Sequence, residues 1–317
     1  MRRLFYILSV AAIMASCTKT EVYYGPSEAI AIKPVTGTIT KGAVQGAPTG
    51  QQLSLYANYT DGRTYLDNAL FAEKVSGSGI WEGAGDNVYF WPKSGQIQLA
   101  GHTYIPSSVG TPVYNNTANT FVVNPYIQPL STSSAVDFLW FNKTNAVNNT
   151  ATGDELAVNL QHAMTWVTIN AYGVSGSIGW KIKSVSFLDV LNKGTLTCKA
   201  SGPEWQNVTA DTSGADLTVY SGTFTLSATP QAVENPQSPS GILLLPQTPT
   251  QMSITYETAG GSEITKPLDL KISDVPADNK WEAGKHYVYN LLFNPYKIEF
   301  TVNVDNSWTS NGEITIN

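Results

Sequence analysis

Apolar side chains alternate with polar ones in short runs along most of the chain, and this period-two pattern restricts the fold more than any other feature. Ile298, Phe300, Val302 and Val304 fall on one face, with Lys297, Glu299, Thr301 and Asn303 on the other, which reads as a half-buried antiparallel strand. Leu53, Leu55, Ala57 and Tyr59 alternate in the same way and stop at Asp61-Gly62, a hairpin-turn dipeptide. Asn, Thr, Ser, Gly, Val and Tyr are abundant, and long runs of Ala, Glu, Lys and Leu are missing. An all-β fold is therefore expected.

The first strand is expected at Ala29–Lys33, with Ile30 and Ile32 on one face. Pro34 lacks an N–H and suits an edge strand or a bulge; Val35 and Ile39 then resume the alternation. Residues 42–50 read as a loop. Thr64 to Val75 fits either a return strand or a short helix around residues 68–72. Closely spaced strands follow at Trp81, 88–92, 96–100, 121–123 and 136–140. The polar stretch from Asn142 to Gly153 is the best candidate for a domain boundary. A second series of short strands runs from Leu156 to Ile316. The spacing predicts two β-sandwiches, residues 28–152 and 153–317, preceded by a signal at 1–16 and a tether at 17–27.

That signal consists of Arg2 and Arg3, an apolar run from Leu4, and the small residues Ala15 and Ser16, the layout of a secretory peptide. The apolar run is too short to span a bilayer as a helix. Followed at once by Cys17, it resembles the lipobox of bacterial lipoproteins. The resemblance implies cleavage before Cys17 and a diacylglycerol on its thiol, which would hold the chain to a membrane through its acyl chains. The plainer alternative is a secreted chain with an incidental cysteine. The other cysteine, Cys198, lies in a strand-like run and reads as a small buried hydrophobe.

Net charge is −6 and only 13% of residues are charged. Lysines and arginines are scattered without a basic stripe, which argues against a nucleic-acid partner. The three histidines, His102, His162 and His286, lack metal-ligand spacing and read as structural. Nucleophile elbows, phosphate loops and Asp-rich calcium loops are missing from the sequence. No catalytic residue, metal or cofactor is expected. Trp81 and Trp91, beside Tyr89 and Phe90, are the candidate platform for a ligand such as a sugar ring, or else cross-strand packing.

Several motifs occur together in a fixed order: Ile39-Thr-Lys-Gly42, Tyr89-Phe-Trp-Pro92, Tyr104-Ile-Pro106, Asp137-Phe-Leu-Trp140 and Leu160-Gln-His-Ala-Met164, then Gly241-Ile-Leu-Leu-Leu-Pro-Gln247 and Trp281-Glu-Ala-Gly-Lys-His-Tyr-Val-Tyr289. This order resembles the fimbrillin-like proteins of Bacteroidales, subunits of type V pili, from about residue 28 onward. The resemblance implies two tandem transthyretin-like β-sandwich domains and export as an outer-membrane lipoprotein. It also implies removal of the first strand, carrying Ile30, Ile32, Val35 and Ile39, by proteolysis at the cell surface. A strand of the next subunit would fill the gap, in head-to-tail assembly with other pilin subunits. Lys41 holds the family-equivalent cleavage position, whereas stem subunits of the family are cut after arginine. The only arginine beyond the signal, Arg63, lies in the Asp61-Gly62 turn. The donor candidate is the C-terminal segment with Ile314 and Ile316, which would otherwise pair within its own domain.

The reading is thus a structural adhesion protein of the fimbrium, with a host or glycan ligand in prospect. One rival is a surface glycan-binding lipoprotein using Trp81 and Trp91. The other is a hydrolase with two carboxyl groups facing across a cleft.

Overall fold

The computed structural model describes residues 29–35, 52–75, 78–92, 95–131, 134–146, 155–211, 216–234, 241–270 and 280–306. Each regular element among them is a strand. In chain order the first are β1 (Ile32–Val35), β2 (Gln52–Tyr59), β3 (Thr64–Glu73), β4 (Trp81–Gly83) and β5 (Ile97–Thr103). Next come β6 (Pro112–Asn115), β7 (Thr120–Ile127), β8 (Leu139–Ala146), β9 (Leu156–Asn159) and β10 (Gln161–His162). Then follow β11 (Thr165–Gly173), β12 (Lys181–Leu188), β13 (Lys193–Lys199), β14 (Gly202–Thr209), β15 (Leu217–Thr225) and β16 (Gln231–Ala232). The last are β17 (Ile242–Leu244), β18 (Gln251–Glu257), β19 (Glu263–Asp269), β20 (His286–Phe293) and β21 (Ile298–Asp305).

One sheet runs β10-β8-β5-β2-β3-β4-β1-β9. Only Leu160 separates β9 from β10, so both ends of this sheet are one stretch of chain, residues 156–162. The sheet therefore closes into a barrel. Its interior holds a core of Leu53, Leu55, Phe71, Leu99, Phe141 and other side chains drawn from strands around the ring. Gly101 on β5 lets the wall close up: a Cβ there would lie 2.5 Å from a ring carbon of Phe141.

A second core lies where the opposite-facing residues of the barrel strands, Tyr56, Ala100 and Trp140, meet the sheet β14-β13-β7-β6. Phe121, Val123, Leu196 and Cys198 come from that sheet. The third core is a sandwich of β16-β11-β20-β21, with β17 beside β11, against β15-β12-β18-β19. Its centre includes Ile182, Val185, Phe187, Ile254, Trp281 and Leu291. In β18 every second residue is buried. In β21 the half-buried Ile298, Phe300, Val302 and Val304 alternate with exposed residues, as their spacing requires.

The ambiguous stretch after Arg63 is a strand, β3. Strand pairing crosses the boundary drawn at 152/153. β9 and β10 belong to the barrel, and β13 pairs with β7 through residues 121–127. The polar run after Asn142 does end a strand, but the chain beyond it returns to the barrel before starting the sandwich. β1 also differs from the expected edge strand: it lies between β4 and β9.

Candidate functional site

β1 occupies a slot in the barrel wall. It runs parallel to β9, with Ile32 opposite Leu156, Pro34 opposite Val158 and Val35 opposite Asn159. On the other side it is antiparallel to β4, with Ile32 opposite Trp81, and Ala29 bridges to Phe90. The Ile30 N–H donates to the Tyr89 carbonyl at 2.7 Å, and the Leu156 N–H donates to the Ala31 carbonyl at 3.1 Å. Backbone groups alternate sides along a strand, so Ile30, Ile32 and Pro34 face β4 while Ala31 and Lys33 face β9. The missing N–H of Pro34 therefore points where the β4 ladder has already ended at Trp81. This lets a proline sit in a strand flanked on both sides.

Ile30 and Ile32 are 1% and 0% exposed and complete the barrel core, while Lys33 lies in solvent. Burying each isoleucine contributes about 1.5–3 kcal/mol. The slot is walled by Leu156 and Val158 on β9 and by aromatic side chains on the β4 side. Tyr89 stacks on Phe71 at 5.4 Å, and the Tyr65 hydroxyl donates to the Phe90 carbonyl. Trp81 and Trp91, the candidate ligand platform, are 1% and 5% exposed and belong to this same core. Neither offers a ring face to solvent. The side chain of Val35, together with Cys17, Ile39, Lys41, Ile314 and Ile316, lies outside the described residues.

Sequence reasoning missed β9 as the parallel partner. Leu156 and Val158 showed the right alternation but were read as the start of a second unit. Arg63 sits in the tight β2–β3 turn. Its backbone N–H and Nε both donate to the Asp61 carboxylate, at 3.1 and 2.8 Å, and its guanidinium lies 4.8 Å from the centre of the Tyr59 ring. These bonds hold the Asp61 carboxyl below its usual range.

The histidines are built into the packing. The His102 ring is stacked against Tyr56 and Phe138, with Nδ1 2.8 Å from the Thr103 carbonyl; burial depresses its pKa to about 4. His162 Nδ1 lies 2.8 Å from the Asp137 carboxylate. His286 stacks on Trp166 at 3.5 Å and pairs with Thr168 Oγ1; burial brings it to about 4 as well. Cys198 is wholly buried, which pushes its thiol well above the usual range. Among the described residues no cluster of three or more His, Cys, Asp or Glu side chains is placed to hold a metal ion.

The profile of the family described as fimbrillin-like matches residues 40–315. The chain belongs to the fimbrillin-like family. No functionally curated protein matches it. Among solved structures, this fimbrillin-like chain is similar to a fimbrial protein from Bacteroides vulgatus, with a TM-score of 0.61 and 16% identity over 89% of this chain and 99% of that one. A candidate cell adhesion protein from Bacteroides uniformis gives a TM-score of 0.57 at 16% identity over the same shares. A candidate cell adhesion protein from Bacteroides ovatus gives 0.57 at 14%, over 88% and 97%. At such identities these likenesses speak for the fold. Family membership carries the general role: a structural, non-enzymatic chain of the pilus-subunit and adhesion class, at the cell surface.

Proposed function

We propose that the protein is a type V pilus subunit whose first strand is exchanged for a strand of a neighbouring copy. In this reading Cys17 carries the lipid that moors the precursor to the outer membrane. Cleavage after Lys41 separates that anchor and the segment 29–40 from the rest, and the vacated slot receives the C-terminal segment of another subunit. The two tandem transthyretin-like units are the barrel with its companion sheet β14-β13-β7-β6 and the sandwich of β11, β12 and β15 to β21.

One observation carries the reading. Among the described side chains of the segment 29–35, Ile30 and Ile32 are the ones sealed in the barrel, and Ile314-Thr315-Ile316 repeats their spacing. A strand with apolar residues at the same interval restores both the buried area and the ladder to β9. Such a contact is head-to-tail and builds filaments rather than closed rings.

N-terminal sequencing of protein shed from the cell surface tests the cut, with Gly42 expected as the first residue. Polymer ladders on gels test the exchange. Ile314→Asp with Ile316→Asp is expected to abolish polymers while cleavage continues. A different N-terminus, or polymers unaffected by the double substitution, overturns the reading.

A further inference from the structure

The barrel carries a second feature, away from the β1 slot. Leu55 pairs with Ala69 and Ala57 with Leu66, so Asp67 and Asn68 on β3 together oppose Tyr56 alone on β2. This is a β-bulge, a device that re-aims side chains and is enriched beside functional sites. Asn68 takes the left-handed conformation, φ 50°. The bulge borders a shallow, open cleft between β2–β3 and β6, lined on its other side by Val113, Tyr114 and Asn116.

Hydrogen bonds tie the far wall to its surroundings. The Tyr114 hydroxyl accepts from Asn58 Nδ2 at 2.8 Å and donates to Asn119 Oδ1 at 2.6 Å. Asn119 is tied in turn to Asn142 at 2.9 Å. Asn116 Nδ2 donates to Thr64 Oγ1 at 3.0 Å and so joins the two rims. Among the described residues of the lining Asp67 carries the charge; the other polar groups there are amides and hydroxyls. Val113, 63% exposed, gives an apolar surface at the mouth.

We infer that this cleft binds a neutral oligosaccharide. Each sugar hydroxyl both donates and accepts, which matches side-chain amides and a carboxylate acceptor. The C–H face of the ring fits the exposed Val113 and the half-buried Tyr114 beside it. The Asp67 carboxylate disfavours acidic sugars and phosphates. The site is distinct from Trp81 and Trp91, which are buried, and it is complete with β1 in place.

The purified full chain, as monomer, is tested on immobilised neutral and acidic oligosaccharides built from hexoses, deoxyhexoses, N-acetylhexosamines and uronic acids. Neutral oligosaccharides are expected to bind. Asp67→Ala is expected to weaken binding at least tenfold, and Val113→Trp to remove it by filling the mouth, with melting transitions unchanged in both. Binding to acidic sugars only, no binding to neutral ones, or wild-type binding by the two variants overturns the inference. Because the monomer keeps β1, the result is independent of strand exchange.

Discussion

Ile32 is wholly buried and paired on both sides, to Leu156 and to Trp81. Ile32→Ala is expected to cost about 2–5 kcal/mol, and Lys33→Ala, one residue away in solvent, to stay within about 0.5 kcal/mol; urea denaturation midpoints separate them. His102 sets a pH dependence. Its pKa is about 4 in the fold and about 6.5 in the unfolded chain. Above pH 6.5 both states are neutral. As pH falls toward 4 the unfolded state takes up the proton and the native state resists it, so stability is lost across that window, by about 3 kcal/mol at most. Melting curves from pH 4 to 7.5 are expected to show a flatter slope for His102→Phe. At this scale alternation made the buried face of β1 legible. It did not show which neighbouring strand the missing N–H of Pro34 would face, nor which side of the wall Trp81 and Trp91 would occupy, since an aromatic in a strand satisfies either side.

At the scale of elements, β3 shows why one stretch resisted a unique reading. Its buried residues are Leu66, Ala69 and Phe71. The bulge inserts a residue, so the buried interval is three and then two, and the first step imitates a helical turn. Asn68 absorbs the insertion at positive φ, a conformation that costs most residues about 1–2 kcal/mol. Asn68→Gly is expected to match or exceed wild-type stability and Asn68→Val to lose about 1–2 kcal/mol, read by thermal melting. The regular strands β18 and β21, free of bulges, were plain in the sequence because nothing disturbs their period of two. The parallel pairing of β1 with β9 was not, because it joins residues more than a hundred positions apart and leaves no local signal.

At the scale of the molecule, the open sheets guard several edges with proline: Pro112 on β6, Pro203 on β14 and Pro267 on β19, each unable to donate to a stray strand. In the barrel both ends of the sheet belong to one stretch of chain, residues 156–162, which joins β1 on one side and β8 on the other. Because β1 lies between β4 and β9, its loss acts on both. Hydrogen exchange after excision of 29–35 at an engineered protease site is expected to speed up at both Trp81–Gly83 and Leu156–Asn159; loss of protection on one side only would speak against β1 as an interior strand. All-β class and sandwich packing could be anticipated from spacing, but the closing segment 156–162 could not, because a polar run before it mimics a domain linker.

That segment has an arithmetic consequence. A hoop of staves has no place for one more, so a newcomer enters only where a stave has gone. If subunits join through this ring by taking the place of β1, each junction in the fibre corresponds to one released leader segment. Assembly would then be countable: the number of shed segments equals the number of joints.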